Sequence, residues 1–190
     1  DFQGSRGLGD VYKRQIDGHQ ASEINLEKVS VESSHVIGDI GKGLPILEGA
    51  IDKGILAVGA EAVGAMEVLY KSTVEYCKTR KQFGQPIGKF QVLQHRMVDM
   101  FMQYEQSVSM TYMVNLKLEE EDVERSKAAS GAKVQICNAA KFIGQSAVQL
   151  HGGMGMTDEL NVGHYFKRLS MIETQLGNAD HHLKKYSLAS

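Results

Sequence analysis

The sequence predicts an all-α fold: an antiparallel four-helix-type bundle of long helices, preceded by a remnant of a β-domain. From residue 41 onward, apolar side chains recur every three or four positions over long stretches. Short segments rich in glycine or in acidic residues separate these stretches. Hydrophobic residues form 42% and charged residues 23% of the chain, which is enough apolar surface to close a core and excludes a disordered chain.

The N-terminal part follows a different pattern. Residues 1–15 show neither helical nor strand periodicity, and we interpret them as a non-native or disordered segment. Residues 16–40 contain two short apolar alternations, at Ile24/Leu26 and Val29/Val31. These alternations predict half-buried strands, but two strands alone are not stable in water. We therefore expect the C-terminal strands of a larger β-domain, or strands that join a partner's sheet, and we interpret the chain as a fragment.

Residues 41–190 carry the helical patterns. The predicted helices span about 44–69, 90–118, 129–150, 159–169 and 171–186. The third helix is rich in small residues and is followed by Gly152, Gly153 and Gly155, which favour a helix end. Long amphipathic helices joined by short loops are typical of antiparallel bundles.

Charge and cysteine content exclude several functional classes. The net charge is −2, so no basic field favours nucleic acid or an anionic membrane. No apolar run reaches the roughly 20 residues that span a bilayer. Cys77 and Cys137 show neither a disulfide framework nor a zinc spacing, and the adjacent His181 and His182 point in different directions on a helix. We expect no metal site and a cytoplasmic protein.

The loop between the first two predicted helices is the most informative stretch. It reads Arg-Lys-Gln-Phe-Gly-Gln-Pro-Ile from Arg80 and is followed by Phe90 and Gln91. An arginine offers a permanent forked cation to a phosphate, glutamine amides donate and accept hydrogen bonds, and a phenylalanine can lie against a ring. Spacing alone also fits an ordinary helix connection with an exposed arginine.

A second candidate follows the third helix, where the sequence reads Gln-Leu-His-Gly-Gly-Met-Gly from Gln149 to Gly155. Glycines let backbone N–H groups approach a ligand closely, which suits phosphate binding. The same pattern also fits a helix end with a tight turn. It is not a dinucleotide fingerprint, because no strand precedes it.

Together these segments resemble the acyl-CoA dehydrogenase family in its C-terminal helical domain. The resemblance includes the R-K-x-F-G element at Arg80, the P-I-x-x-F-Q element at Pro86 and the Q-x-H-G-G-x-G element at Gln149, separated by two long helices. It extends from about Ile16 to the end, and it leaves out the family's N-terminal helical domain and most of its β-domain.

The resemblance implies an FAD-dependent α,β-desaturation of an acyl-CoA thioester. It makes residues 41–190 an FAD-binding and oligomerisation domain. The residues that it assigns to the cofactor are Arg80, Gln82, Phe83, Gly84, Gln91, Gln149, Gly152 and Gly153. The loop at Arg80 would hold one cofactor and the loop at Gln149 would reach a neighbour's, which implies a hetero- or homo-tetramer. The family usually passes electrons to an electron-transfer flavoprotein.

The sequence departs from the family at the catalytic base. The usual glutamate of a Y-E-G-T element falls on Leu176, and the alternative position, in an L-D-x-E-R element of the first long helix, falls on Gly54. No catalytic residue is therefore identified. On a continuous helix Glu173 and Asp180 would share the face of Leu176, and spacing is their only support as substitutes.

Four interpretations remain open at this point. Within the family, the C-terminal segment resembles small subunits of pimeloyl-CoA dehydrogenase and of mixed assemblies in which a homologous subunit supplies the base. This favours a mixed assembly, in which the chain alone is inactive. A self-sufficient homo-oligomer with an unusual base such as Glu173, a catalytically silent flavin-binding scaffold, and a plain helical interaction module without cofactor are the alternatives.

Overall fold

The computed structural model describes residues 13–14, 16–21 and 24–189 and confirms the all-α fold. Its helices are α1 Leu44–Thr79, α2 Gln91–Lys117, α3 Asp122–His151, α4 Val162–Thr174 and α5 Ala179–Leu188. Two short antiparallel hairpins add strands β1 Lys13–Arg14, β2 Gln20–Ala21, β3 Lys81–Gln82 and β4 Gln85–Pro86. In the described part of the chain no helix is long and apolar enough to cross a membrane.

Helix α3 forms the centre of the bundle and contacts each of the other four helices. Its buried face consists largely of alanine: Ala128, Ala129, Ala132, Ala139, Ala140 and Ala147. Such small side chains let the neighbouring helices approach closely, and the larger apolar residues of α1, such as Met66 and Leu69, fill the space between them. The predicted stripe of small residues is thus the core of the domain.

The predicted break between the first two helices is confirmed as a tight hairpin. Helix α1 ends at Thr79, β3 and β4 pair antiparallel, and the Ile87 amide donates to the Arg80 carbonyl at 2.9 Å. The two residues at the tip, Phe83 and Gly84, have φ of 53° and 80°. Glycine adopts such angles freely, whereas a phenylalanine does so at an energetic cost.

The predicted last helix from 171 to 186 is wrong. Helix α4 continues to Thr174, and α5 begins at Ala179. Between them Leu176 and Gly177 have φ of 57° and 99°, which a helix does not allow. The Asn178 side chain then accepts the His181 amide and caps α5.

The strands predicted around 24–26 and 29–31 do not form. Their apolar residues are exposed, and within the described residues the backbone there has no strand partner. In this N-terminal part the strands β1 and β2 lie earlier in the chain, and Asp17 in the turn between them forms an ion pair with Arg168 of α4 at 2.9 Å. The assignment of 16–40 to a β-domain stays a prediction. The segment 1–15 lies outside the described residues except for 13–14.

Candidate functional site

The two predicted cofactor segments lie at the same end of the bundle. The Arg80 amide donates to the Tyr76 carbonyl at 2.8 Å, and the Tyr76 hydroxyl donates to the His151 carbonyl at 3.4 Å. The rings of Tyr76 and His151 also pack together, with centroids 4.3 Å apart. Because Tyr76 precedes the hairpin and His151 precedes the glycine loop, this contact joins the ends of α1 and α3.

The hairpin presents its side chains to solvent. Phe83 is 91% exposed, and its nearest ring is that of Phe90, which lies edge-on at 6.1 Å between centroids. The side chains of Arg80, Gln82 and Gln91 are exposed and have no hydrogen bond or ion pair among the described residues. Unpaired donors beside an exposed ring at a strained backbone position are features of a binding surface.

The glycine loop begins where α3 ends. Gly152 has φ of 59°, and a Cβ on Gly152 or Gly153 would meet no atom within 4 Å. Both glycines are exposed, as is the neighbouring Gln149. Gly155 differs, because a Cβ there would be 2.8 Å from the Val148 carbonyl oxygen. The first two glycines therefore leave the backbone open to a ligand, whereas the third is required by packing.

This set of groups fits a dinucleotide such as FAD. An unpaired guanidinium can bind a pyrophosphate through two parallel hydrogen bonds, free amides can bind ribose or ring atoms, and an exposed phenyl ring can pack on an aromatic ring. Open glycines allow backbone N–H groups to approach phosphate oxygens. All of these groups are exposed on the chain, so a ligand can reach them.

The two family base positions meet in space. A Cβ on Gly54, in α1, would be 2.9 Å from Cδ1 of Leu176, in the loop between α4 and α5. Leu176 is 40% exposed, so the remainder of its side chain covers the glycine and leaves an apolar surface. Neither residue has a group that accepts a proton.

The continuous helix on which Glu173 and Asp180 would share the face of Leu176 does not form, because the chain reverses between them at Leu176 and Gly177. Glu173 lies in the last turn of α4 and is half-buried, and Asp180 lies in the first turn of α5 and is exposed. The two carboxylates therefore do not share a helix face with Leu176.

Sequence reasoning missed a buried polar group behind this loop. Lys133 of α3 is 2% exposed, and its ammonium donates to the Ile172 carbonyl at 2.5 Å. His182 of α5 is 1% exposed and contacts the Leu176 carbonyl at 2.8 Å. Burial lowers the pKa of both side chains. The signal for Lys133 is its place inside the small-residue stripe, four residues after Ala129.

The C-terminal domain of acyl-CoA dehydrogenases matches residues 41–185. The chain belongs to the acyl-CoA dehydrogenase family. It is 30% identical to the probable acyl-CoA dehydrogenase YngJ of Bacillus subtilis over 168 residues, which are 88% of this chain and 44% of that protein. It is 31% identical to the short-chain specific acyl-CoA dehydrogenase of Megasphaera elsdenii over 165 residues, 87% of this chain and 43% of the relative.

Solved structures share this arrangement of helices. The butyryl-CoA dehydrogenase of Megasphaera elsdenii superposes with a TM-score of 0.86 at 29% identity. The matched region is 94% of this chain and 47% of the butyryl-CoA dehydrogenase chain. The ChsE4–ChsE5 complex of Mycobacterium tuberculosis has a TM-score of 0.87 at 22% identity, covering 97% of this chain and 49% of that chain, which shows the fold alone. The chain thus spans about half the length of the relatives it matches.

Proposed function

We propose that the protein is a subunit of an FAD-dependent acyl-CoA dehydrogenase, and that a homologous subunit supplies the base that removes the α-proton of the acyl-CoA. The contact of Leu176 with Gly54 carries this proposal, because one apolar contact fills both places where the family puts its acid. The same observation implies that this chain alone does not desaturate a thioester.

The exposed end of the bundle supports cofactor binding. In this proposal Arg80 binds the pyrophosphate, Gln82 and Gln91 bind polar atoms of the cofactor, and Phe83 and Gly84 shape the contact. Gln149, Gly152 and Gly153 form the corresponding contact for a neighbour's cofactor. FAD, when bound, supplies the acceptor for the hydride that leaves the β-carbon. Because the two loops of one chain would contact two different cofactors, the proposal requires an oligomer.

Leu176 and Gly54 form the surface that this subunit would present to the acyl chain of a substrate. An alkyl side chain over a glycine excludes water and packs against an acyl chain, but it takes no proton. Glu173 and Asp180 lie on α4 and α5, on either side of the chain reversal, so they lose the support of helical spacing and the homo-oligomer with an unusual base has less support. A catalytically silent flavin-binding scaffold remains the second candidate, because the same apolar contact favours it equally.

Partners follow from the same reasoning. We propose a mixed tetramer with a homologous subunit, an electron-transfer flavoprotein as electron acceptor, and a cytoplasmic location. A chain in a structure of the electron transferring flavoprotein of Acidaminococcus fermentans has this fold, with a TM-score of 0.86 at 29% identity, which supports the choice of acceptor. For the substrate we propose a bulky or dicarboxylic acyl-CoA, on the resemblance of the C-terminal segment to pimeloyl-CoA dehydrogenase small subunits.

Restoring an acid at position 176 tests the proposal. In the full-length protein, we expect Leu176→Glu to gain flavin reduction by acyl-CoA in the absence of a partner, by roughly the 10²–10⁴-fold that a positioned base contributes. Leu176→Gln is the matched control, since it has nearly the same shape and takes no proton. Reduction by the unaltered subunit at the rate of the Glu variant would refute the proposal. No gain in the Glu variant would favour the silent scaffold.

A further inference from the structure

The backbone at Leu176 is held in an unfavourable conformation. Its φ of 57° is left-handed, a region that a leucine rarely adopts, and the next residue, Gly177, has φ of 99°. A residue stays in such a conformation only when the surrounding structure holds it there. Among the described residues only three other than glycine have positive φ: Lys28, Phe83 and Leu176. Two of these three lie at the proposed cofactor and substrate surfaces.

His182 contacts the strained residue directly. Its Nε2 lies 2.8 Å from the Leu176 carbonyl oxygen, and its Nδ1 lies 3.3 Å from the Ser130 hydroxyl. A carbonyl only accepts, so Nε2 carries the proton and donates. Nδ1 of the neutral ring then accepts from Ser130, which is fully buried in α3. The two bonds fix the tautomer and the orientation of the ring.

Helix α3 also binds the chain just before Leu176. The Lys133 ammonium donates to the Ile172 carbonyl at 2.5 Å, and the Cys137 thiol approaches the Glu173 carbonyl at 3.9 Å. Ser130, Lys133 and Cys137 lie three and four residues apart, so they occupy one face of α3. This face therefore contacts two successive carbonyls in the last turn of α4, just before the chain reverses.

Gly177 closes the arrangement around the histidine. A Cβ there would lie 2.8 Å from Nε2 of His182, so a larger residue would push the ring away from the Leu176 carbonyl. The positive φ and the close approach of the imidazole thus require glycine at the same position.

We propose that Ser130, Lys133 and His182 are positioning residues, which hold the main chain at Leu176 so that the side chain at position 176 points over Gly54 into the acyl-CoA surface. That the side chain at position 176 faces an acyl-CoA rests on the proposed function. That the three residues hold the main chain at Leu176 concerns this chain alone. It implies that the main chain at position 176 is held by groups other than the side chain at that position.

Two substitutions of His182 test whether this residue holds the main chain at Leu176. In glutamine, Nε2 can take the place of the histidine Nε2, whereas the shorter asparagine places its amide near Nδ1 and cannot reach the Leu176 carbonyl. We expect His182→Asn in the full-length protein to speed amide hydrogen exchange in the peptide 174–182 by about 10-fold, the loss of one hydrogen bond. His182→Gln should stay within about 2-fold of the unaltered protein, and an α1 peptide spanning 58–68 is the internal control.

An unchanged exchange rate in His182→Asn would overturn the proposal, as would equal acceleration in His182→Gln. Nitrogen NMR of the imidazole in the unaltered protein decides the question if the Asn variant does not fold. We expect a neutral ring with the proton on Nε2, and a proton on Nδ1 would overturn the proposal.

Activity separates this inference from the proposed function. In the Leu176→Glu background, His182→Asn should lower kcat by about 10-fold with little change in KM, and His182→Gln should restore kcat. The exchange and NMR results need neither flavin nor substrate. If the exchange and NMR results are as expected but Leu176→Glu gains no flavin reduction, the positioning role of His182 is supported and the proposed function is refuted. If Leu176→Glu is active and the exchange rates do not respond to His182, the proposed function stands and the positioning fails.

Discussion

The Leu176 side chain lies on Gly54, so close that a Cβ on the glycine would be 2.9 Å from Cδ1 of the leucine. The two residues come from α1 and from the loop between α4 and α5, and they are the two positions at which the family's base is expected. Because of this contact, the residue at position 54 limits the space available to the side chain at position 176. Substitutions at the two positions are therefore expected to affect each other.

A double-mutant cycle should reveal this coupling. Gly54→Ala improves helix propensity by up to about 1 kcal/mol, but with Leu176 present the new methyl must displace a δ-methyl group. Because Leu176 is partly exposed and flexible, we expect the two effects nearly to cancel. In a Leu176→Ala background the gain should appear in full, which gives a coupling of about 1 kcal/mol in urea unfolding. Additive effects would contradict the contact.

Alkaline stability should depend on Lys133. Burial lowers the pKa of its ammonium below the ordinary value of 10.5, so between the two pKa values the unfolded chain binds more protons than the folded chain. The free energy of unfolding should therefore rise with pH through that window, relative to Lys133→Met. Urea unfolding at several pH values between neutral and about 10 measures this difference.

Lys141→Met is the control for the alkaline experiment, since Lys141 lies on the same helix and is exposed. It should leave the pH dependence of the unaltered protein intact. If the difference in free energy of unfolding between the unaltered protein and Lys133→Met does not change with pH, Lys133 keeps an ordinary pKa in the folded state.

Acid stability should depend on His182. Burial is the main cause that lowers the pKa of the His182 ring below 6.5. The hydrogen bond to the Leu176 carbonyl raises this pKa, whereas the nearby side chains of His181, Lys185 and Lys133 lower it further. The unfolded chain therefore takes up the proton first. Relative to His182→Gln, the unaltered protein should lose stability as pH falls through 6.5, until the folded ring also titrates.

His181→Gln provides the matched control, because His181 is exposed. The acid-dependent loss should persist in that variant and disappear in His182→Gln. The same loss in both variants would assign the titration to another group.

Flavin affinity should depend on Arg80. Its guanidinium has no partner among the described residues, whereas the nearby Lys78 pairs with Glu75 at 2.6 Å. We expect Arg80→Ala in the full-length protein to weaken FAD binding by about 10- to 100-fold, as the loss of a charge-assisted hydrogen bond predicts. Lys78→Ala should have little effect, and Arg80→Lys should restore affinity only in part. Equal affinity in Arg80→Ala would remove this residue from the cofactor site.

The sequence predicted the fold where local pattern and tertiary packing agree. The apolar stripe from Leu44 to Leu69 marks α1, and glycine with proline marks the break at 84–86. The end of α3 was equally visible, because glycine at 152 adopts the positive φ that a helix end favours.

Prediction failed where distant contacts override local preference. Leu176 adopts a left-handed backbone that its own side chain disfavours, because His182 and α3 bind the chain around it. Lys133 is buried against the general rule for lysine, and its ammonium donates to the Ile172 carbonyl, which is distant in the chain. The contact of Leu176 with Gly54 joins residues far apart in the chain, so no local pattern indicates it.

We expect this subunit to supply no catalytic base. The most direct measurement uses the full-length protein, purified alone with FAD and mixed anaerobically with medium-chain and dicarboxylyl-CoA thioesters while flavin absorbance is followed. We predict that the absorbance persists with the subunit alone and bleaches when a homologous subunit carrying the family's glutamate is added. Bleaching by the subunit alone would contradict the claim.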